Sequence, residues 1–356
     1  MNEKETEAAP PVKKRYEWID NARIVAALLI VYAHMPFYFD FPHVNNEAAM
    51  NLVKLTTYHG RVPFFLILAG YFLARRITWH KAFDRALWLL IPFAAWNLLW
   101  YVFLHLHQPM FQHPLDDVCG ILGIGTIFTD NISILGQPAR MPIIIVSWFL
   151  RDIIVLSLLT PIIARFKKVI FILLVVLTAY NMGSWQSSPA PMSLLSLGTC
   201  YYYLLGVCLV DFRIDDAYRI FNKRFTPFVI AGFLAGVAVS LSPALQAMVP
   251  PMVTFTGRLF GALMIAHCGV LIENHLPRVS KWLAPCGPAC FLVFMIHMPF
   301  LLTFRNWIPL WIQESWLVWL VPIPTCALII CIFLLIKRWA PWLMPYLGHM
   351  KVPRKV

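Results

Sequence analysis

From Trp18 to Phe39 the chain is apolar enough and, as a helix, long enough to cross a bilayer, yet the run holds Asp20, Arg23 and His34. Helical residues rise about 1.5 Å each, so the run spans roughly 33 Å against a hydrocarbon core of about 30 Å. An ionisable group within a span costs about 2.5–3.5 kcal/mol on insertion scales, so three in one span require a protein interior or a wet cavity beside them. Arg23 and His34 are separated by three full turns plus about 20°, so both project from one face, roughly 16 Å apart in depth. Asp20, one turn before Arg23, shares that face. Taken singly, Asp20 and Arg23 read as headgroup anchors and His34 as a hydrogen-bonded bundle residue. Taken together, the stripe reads as a functional face.

Hydrophobic residues make up 60% of the 356 and charged residues only 13%, which excludes a soluble domain and points to an all-α, polytopic transmembrane helical bundle in a lipid bilayer. The net charge of +12 raises nucleic acid as a partner. The Lys and Arg residues alternate with apolar spans, however, as a positive-inside bias places them, and nucleic-acid binding is rejected. The eight cysteines are scattered, mostly within spans and with no C-x-x-C pair, so neither disulfides nor a metal site is expected. Lys13-Lys14-Arg15 precedes the first apolar run as it would in a signal peptide, but no small-residue cleavage site follows, and the segment is expected to stay attached.

Apolar runs predict about ten helices, near 18–39, 61–74, 86–105, 142–164, 169–183, 192–210, 226–243, 252–272, 287–304 and 316–336. They compose a transmembrane domain over 16–340 between a polar tail, 1–15, expected to be disordered, and a basic tail, 341–356. Most of the 29 Lys and Arg fall on one side of this layout, which predicts that both termini are cytoplasmic. The exceptions are Arg23, Lys54, Arg61, Arg140, Arg151, Arg258 and Arg305. Segment 106–141 is the one loop large enough for a lid or a re-entrant piece. His105, His107 and His113, beside and within it, are not read as metal ligands. No internal repeat is visible, which weighs against an inverted-repeat transporter.

His34 lies beyond the midpoint of its helix, toward the outer face, where a neutral imidazole can take a proton from a hydroxyl. Arg23 lies near the inner face, and its forked donors suit a phosphate or a carboxylate. Arg75 and Arg76, at the inner end of the second span, either set topology or extend that anion site. Trp148 precedes Arg151 and Asp152, which either neutralise one another within the bundle or touch substrate. His297 reads as a structural residue.

Four segments in order resemble one known family. Glu17-Trp-Ile-Asp20-Asn-Ala-Arg23, ten further residues and His34 resemble the arginine-to-histidine signature that opens the acyltransferase-3 family of membrane O-acyltransferases. Pro63-Phe-Phe through Gly70-Tyr to Arg75-Arg76 resembles its second-helix motif, with Leu68-Ala69 where the family commonly has Ser before the Gly. Ser147-Trp-Phe-Leu150 is similar to its later Trp-Phe-Leu motif, and Phe294-Met-Ile-His297-Met-Pro299 to its Tyr-x-x-His-like late helix. The resemblance implies transfer of an acyl group, usually acetyl from cytoplasmic acetyl-CoA, to a hydroxyl of an extracytoplasmic or lipid-linked glycan in a bacterial inner membrane. It further implies that His34 is the base or acyl relay, that Arg23 contacts the donor, and that Arg75 and Arg76 hold CoA phosphates. The reading from a different class is a non-enzymatic exporter or flippase of a glycan intermediate that uses the same polar stripe as a pathway.

Overall fold

The computed structural model describes residues 16–35, 60–75, 77–104, 133–134, 137–138, 145–180, 195, 197–221, 225–248 and 251–348. Within them the chain is helical apart from one short antiparallel ladder, β1 (Ser133–Ile134) with β2 (Gln137–Pro138). Helix α1 (Glu17–His34) is followed by α2 (Arg61–Ala74), α3 (Trp79–Leu104), α4 (Trp148–Tyr180), α5 (Leu197–Cys208), α6 (Ile214–Phe221), α7 (Thr226–Leu241), α8 (Pro243–Met248), α9 (Pro251–His275), α10 (Pro277–Leu283), α11 (Cys290–Trp307), α12 (Leu310–Gln313) and α13 (Pro322–Trp339). A tight turn, Pro341–Leu347, ends the described chain. Its Met344 and Leu347 are buried, and Trp96 of α3 donates its indole N–H to the Tyr346 carbonyl at 3.0 Å.

Helix α1 is the inner element. It packs against α2, α9, α11 and α13 and against the turn Ala284–Ala289. Ala22, Ala26 and Ala27 bring those neighbours close, while Trp18, Ile30 and Val31 fill the space between. The polar stripe therefore meets protein, and Asp20 and Asn21 are buried with the apolar residues.

Helices α2 and α5 cross with their backbones in contact. A Cβ on Gly70 would land on the Tyr203 carbonyl oxygen, and one on Gly206 on the Ile67 carbonyl oxygen. Only glycine permits that approach, which replaces the missing hydrophobic drive between helices in lipid with dispersion and close packing. Gly206→Val is expected to force the two helices apart at a cost of at least ~1–3 kcal/mol. The check is the thermal unfolding midpoint of the detergent-solubilised protein, which should fall; an unchanged midpoint would mean that the crossing tolerates a side chain.

Helix α4 is broken at Phe166, whose φ/ψ of −111°/19° are not helical. Before the break, Thr160 meets Tyr203, and at the break Lys167 lies at the Cys208–Asp211 end of α5. After it, Phe171 packs on Tyr201. The order of contacts along α5 thus reverses at Phe166, which places a change of direction in the basic stretch Arg165–Lys168 that the sequence reading set between two spans.

Among the described residues, four stretches are long and apolar enough to cross a membrane by length and composition: Trp79–Val102, Thr256–His275, Pro277–Trp307 and Trp316–Trp339. Arg61–Ala74 and Thr226–Leu241 are apolar but shorter. The difference from the ten spans expected has a physical source, since α1 carries Glu17, Asp20 and Arg23 and α4 carries Arg151, Asp152 and its basic break. Outward faces remain apolar, with Leu98, Leu99, Ile172, Leu173 and Leu335 exposed. Trp79, Trp282 and Trp339 are exposed at one set of helix ends and Trp307, Trp311 and Trp316 at the other, as interfacial tryptophans at two membrane levels would be.

Candidate active site

His34 ends α1 and His297 sits mid-way along α11, 263 residues apart in sequence. The structure places His297 Nε2 3.2 Å from His34 Nδ1, with ring centroids 4.8 Å apart and planes inclined by 59°. His297 is fully buried. Sequence alone gives His297 no more than a structural role; its position makes it the hydrogen-bond partner of the stripe histidine.

Backbone carbonyls select the tautomers of the neutral rings. His297 Nδ1 is 2.9 Å from the carbonyl oxygens of both Val293 and Phe294, so that nitrogen carries the proton and Nε2 the lone pair. His34 Nδ1 lies 2.8 Å from the Ile30 carbonyl oxygen and faces the acceptor Nε2 of His297. It donates to both, which puts the basic lone pair of His34 on Nε2. Helix geometry accounts for the anchoring, since a side chain leans back over the turn before its own Cα and meets the i−4 carbonyl. Aromatic packing steadies the α11 side of the pair: Phe149 lies 5.2 Å from Phe294, and Trp148 packs edge-on to Phe149 at 6.0 Å. Ser147, just before them, is hydrogen-bonded to Asn97 of α3 at 3.1 Å.

At the other end of the stripe, Arg23 Nη1 is 3.4 Å from Asp20 Oδ1. Asp20 is buried beside Gly287, where an added Cβ would meet its carboxylate. Arg85 of α3 and Cys290 of α11 lie within electrostatic range of Arg23, and the Arg85 Nε is buried without a hydrogen-bond partner among the described residues. Asn21 donates to Ser280 Oγ at 2.8 Å, and Ser280 to Glu17 Oε2 at 3.1 Å, tying this end of α1 to α10. The sequence reading counted Arg85 only among the basic residues that set topology, and it passed over Asn21 and Ser280, whose types carry no distinguishing signal.

Arg75 is exposed and rests over the Tyr71 ring, 5.7 Å from its centroid, while the Tyr71 hydroxyl donates to the Phe212 carbonyl at 2.8 Å. Arg76, the histidines His105, His107 and His113, and most of segment 106–141 lie outside the described residues. Arg151 donates through Nε and Nη2 to Asp152 Oδ1 at 3.2 and 3.1 Å, and both side chains are buried. Leu195 and Thr199 of the α5 region line the Asp152 carboxylate. Across the Arg151–Asp152 contact the two buried charges neutralise one another.

Ionisable groups turned inward, apolar faces turned outward and tryptophans at two levels make this an integral membrane protein. The chain belongs to the acyltransferase-3 family, whose model, an acyltransferase domain, matches residues 16–338, and it is thus a membrane acyltransferase. Neither the curated proteins nor the solved structures contain a match to it.

Proposed function

We propose that the protein moves an acyl group, acetyl from acetyl-CoA, to a hydroxyl of an extracytoplasmic or lipid-linked glycan in a bacterial inner membrane, with both termini cytoplasmic. The observation that carries this reading is the His34–His297 contact, because it gives the one histidine of the polar stripe a defined tautomer with Nε2 as base. In the reaction, His34 Nε2 takes the proton of the acceptor hydroxyl as its oxygen attacks the thioester carbonyl. The carbon–sulfur bond then breaks, the CoA thiolate takes the proton from the imidazolium, and an ester and a free thiol leave. Attack on the thioester by Nε2 itself, forming an acyl-imidazole that the hydroxyl then resolves, needs the same lone pair.

Arg23 and Arg85 meet the negative charge of the donor on the cytoplasmic side, and Arg75 with Arg76 hold CoA phosphates at the membrane surface. The depth of about 16 Å between Arg23 and His34 is bridged by the extended arm of the donor. Asp20 orients Arg23, and Trp148 with Phe149 supports the His297 helix.

His297 acts as a positioning residue. His297→Ala is expected to lower kcat about tenfold, or more, because His34 loses the partner that fixes its ring, while KM for acetyl-CoA stays unchanged. His297→Gln, which restores an acceptor near the Nε2 position, should recover part of that loss. The assay is release of CoA thiol by membrane vesicles holding the native acceptor. Equal activity in all three proteins would remove His297 from the account, and glycan export without thiol release would favour the exporter reading.

A further inference from the structure

Arg61 opens α2 at the same end of the bundle as the histidine pair. Gly60 before it has φ +84°, and a Cβ there would strike the backbone of Gly261 and Ala262 in α9. That contact presses the start of α2 onto α9, and Arg258, one turn before Ala262, projects from the same face of α9. Arg258 lies within electrostatic range of Arg61, and Arg61 within range of both His34 and His297. Arg61 Nε and Nη1 are cut off from solvent, and no described residue accepts a hydrogen bond from either. Among the described residues no carboxylate is paired with Arg61.

Two guanidinium groups drawn together in a low-dielectric setting repel, and a half-buried cation whose inner N–H groups lack an acceptor is destabilising. A bundle that keeps this arrangement at its reacting end gains from it when an anion arrives. Arg75 and Arg23 occupy the opposite end of the stripe, where the donor phosphates are placed, so the anion that reaches Arg61 belongs to the other substrate. We propose that Arg61 and Arg258 form a binding site for an anionic oxygen group, carboxylate or phosphate, carried by the acceptor saccharide, so that the enzyme selects an acidic glycan and sets its hydroxyl beside His34. This inference rests on the acyl-transfer reading for the identity of the ligand as acceptor. The anion site itself stands on the unpartnered guanidinium.

The test is the thermal unfolding midpoint of the purified protein in detergent at constant ionic strength, with glucuronate, glucose 1-phosphate or glucose added. Wild type should gain about 2–4 °C with one or both anionic sugars and nothing with glucose. Arg61→Gln should lose that gain while its ligand-free midpoint stays equal to or above that of wild type, since an uncompensated buried charge has been removed. Arg61→Lys, which keeps the charge, should keep part of the gain. A response to glucuronate alone assigns a uronate-bearing acceptor, and a response to glucose 1-phosphate alone a phosphorylated one. The proposal is overturned if no anionic sugar shifts wild type, if glucose shifts it equally, or if Arg61→Gln responds as wild type does. It is equally overturned if Arg61→Gln lowers kcat with the midpoints unmoved, the mark of a cation that serves only the tetrahedral oxyanion. His34→Asn must keep the anion response: an active His34→Asn protein defeats the acyl-transfer mechanism alone, and a missing anion response beside normal transfer defeats this site alone.

Discussion

Asp152→Leu alone is expected to destabilise the protein by about 3–5 kcal/mol, because it leaves the Arg151 guanidinium buried without the carboxylate that receives two of its N–H donors. The corresponding fall in thermal midpoint is on the order of 10 °C. Arg151→Met alone should also be damaging, since it leaves the buried Asp152 carboxyl without its guanidinium and, among the described residues, with only Leu195 and Thr199 as hydrogen-bond partners. The double variant Arg151→Met/Asp152→Leu removes both charges, and apolar residues of similar volume in place of a buried pair are neutral or stabilising. Its midpoint should return close to that of wild type, with thiol release retained once the fold is restored. A double variant that folds but releases no thiol would move the pair from the bundle's support into contact with substrate.

His34→Asn is expected to lower acyl transfer by about 10²–10⁴-fold. The asparagine amide reaches the position of Nδ1 and keeps a donor for the Ile30 carbonyl, which the wild-type ring meets at 2.8 Å. It offers nothing at the position of Nε2. Fold and membrane insertion should therefore survive while proton transfer does not, and His34→Gln, whose amide reaches further along the ring, should not recover a base. The measurement is CoA thiol release at equal protein level. Retention of more than a tenth of the rate would mean that the proton leaves by another route.

Much of the helical layout was legible because apolar runs in a membrane chain are interrupted by basic residues and prolines. The second span, Arg61–Ala74, and the Thr226 start of α7 agree with the residues expected, and the basic stretch Arg165–Lys168 coincides with the break at Phe166. The start of α3 at Trp79 lies earlier than the expected 86, since its first two turns hold His80, Lys81, Asp84 and Arg85 and read as a connector. The stripe on α1 was legible from helical spacing, but its partner was not: His297 reaches His34 across 263 residues, and no local pattern announces a pairing of that kind. Arg61 and Arg258 carried a usable signal. Both stand on the outer side of the layout that a positive-inside bias predicts, as does Arg151, and a cation placed against that bias has to be held there by something other than topology.

Acyl transfer by His34 is read out on surface glycans. A deletion strain is rescued with wild type or with His34→Asn at equal membrane level, supplied with isotopically labelled acetate, and the isolated glycans are weighed by mass spectrometry. Labelled acyl groups, removable by mild base as esters are, are expected on glycans from the wild-type rescue and none on those from the His34→Asn rescue. Identical acylation in both would contradict it and leave His34 a packing residue of the bundle.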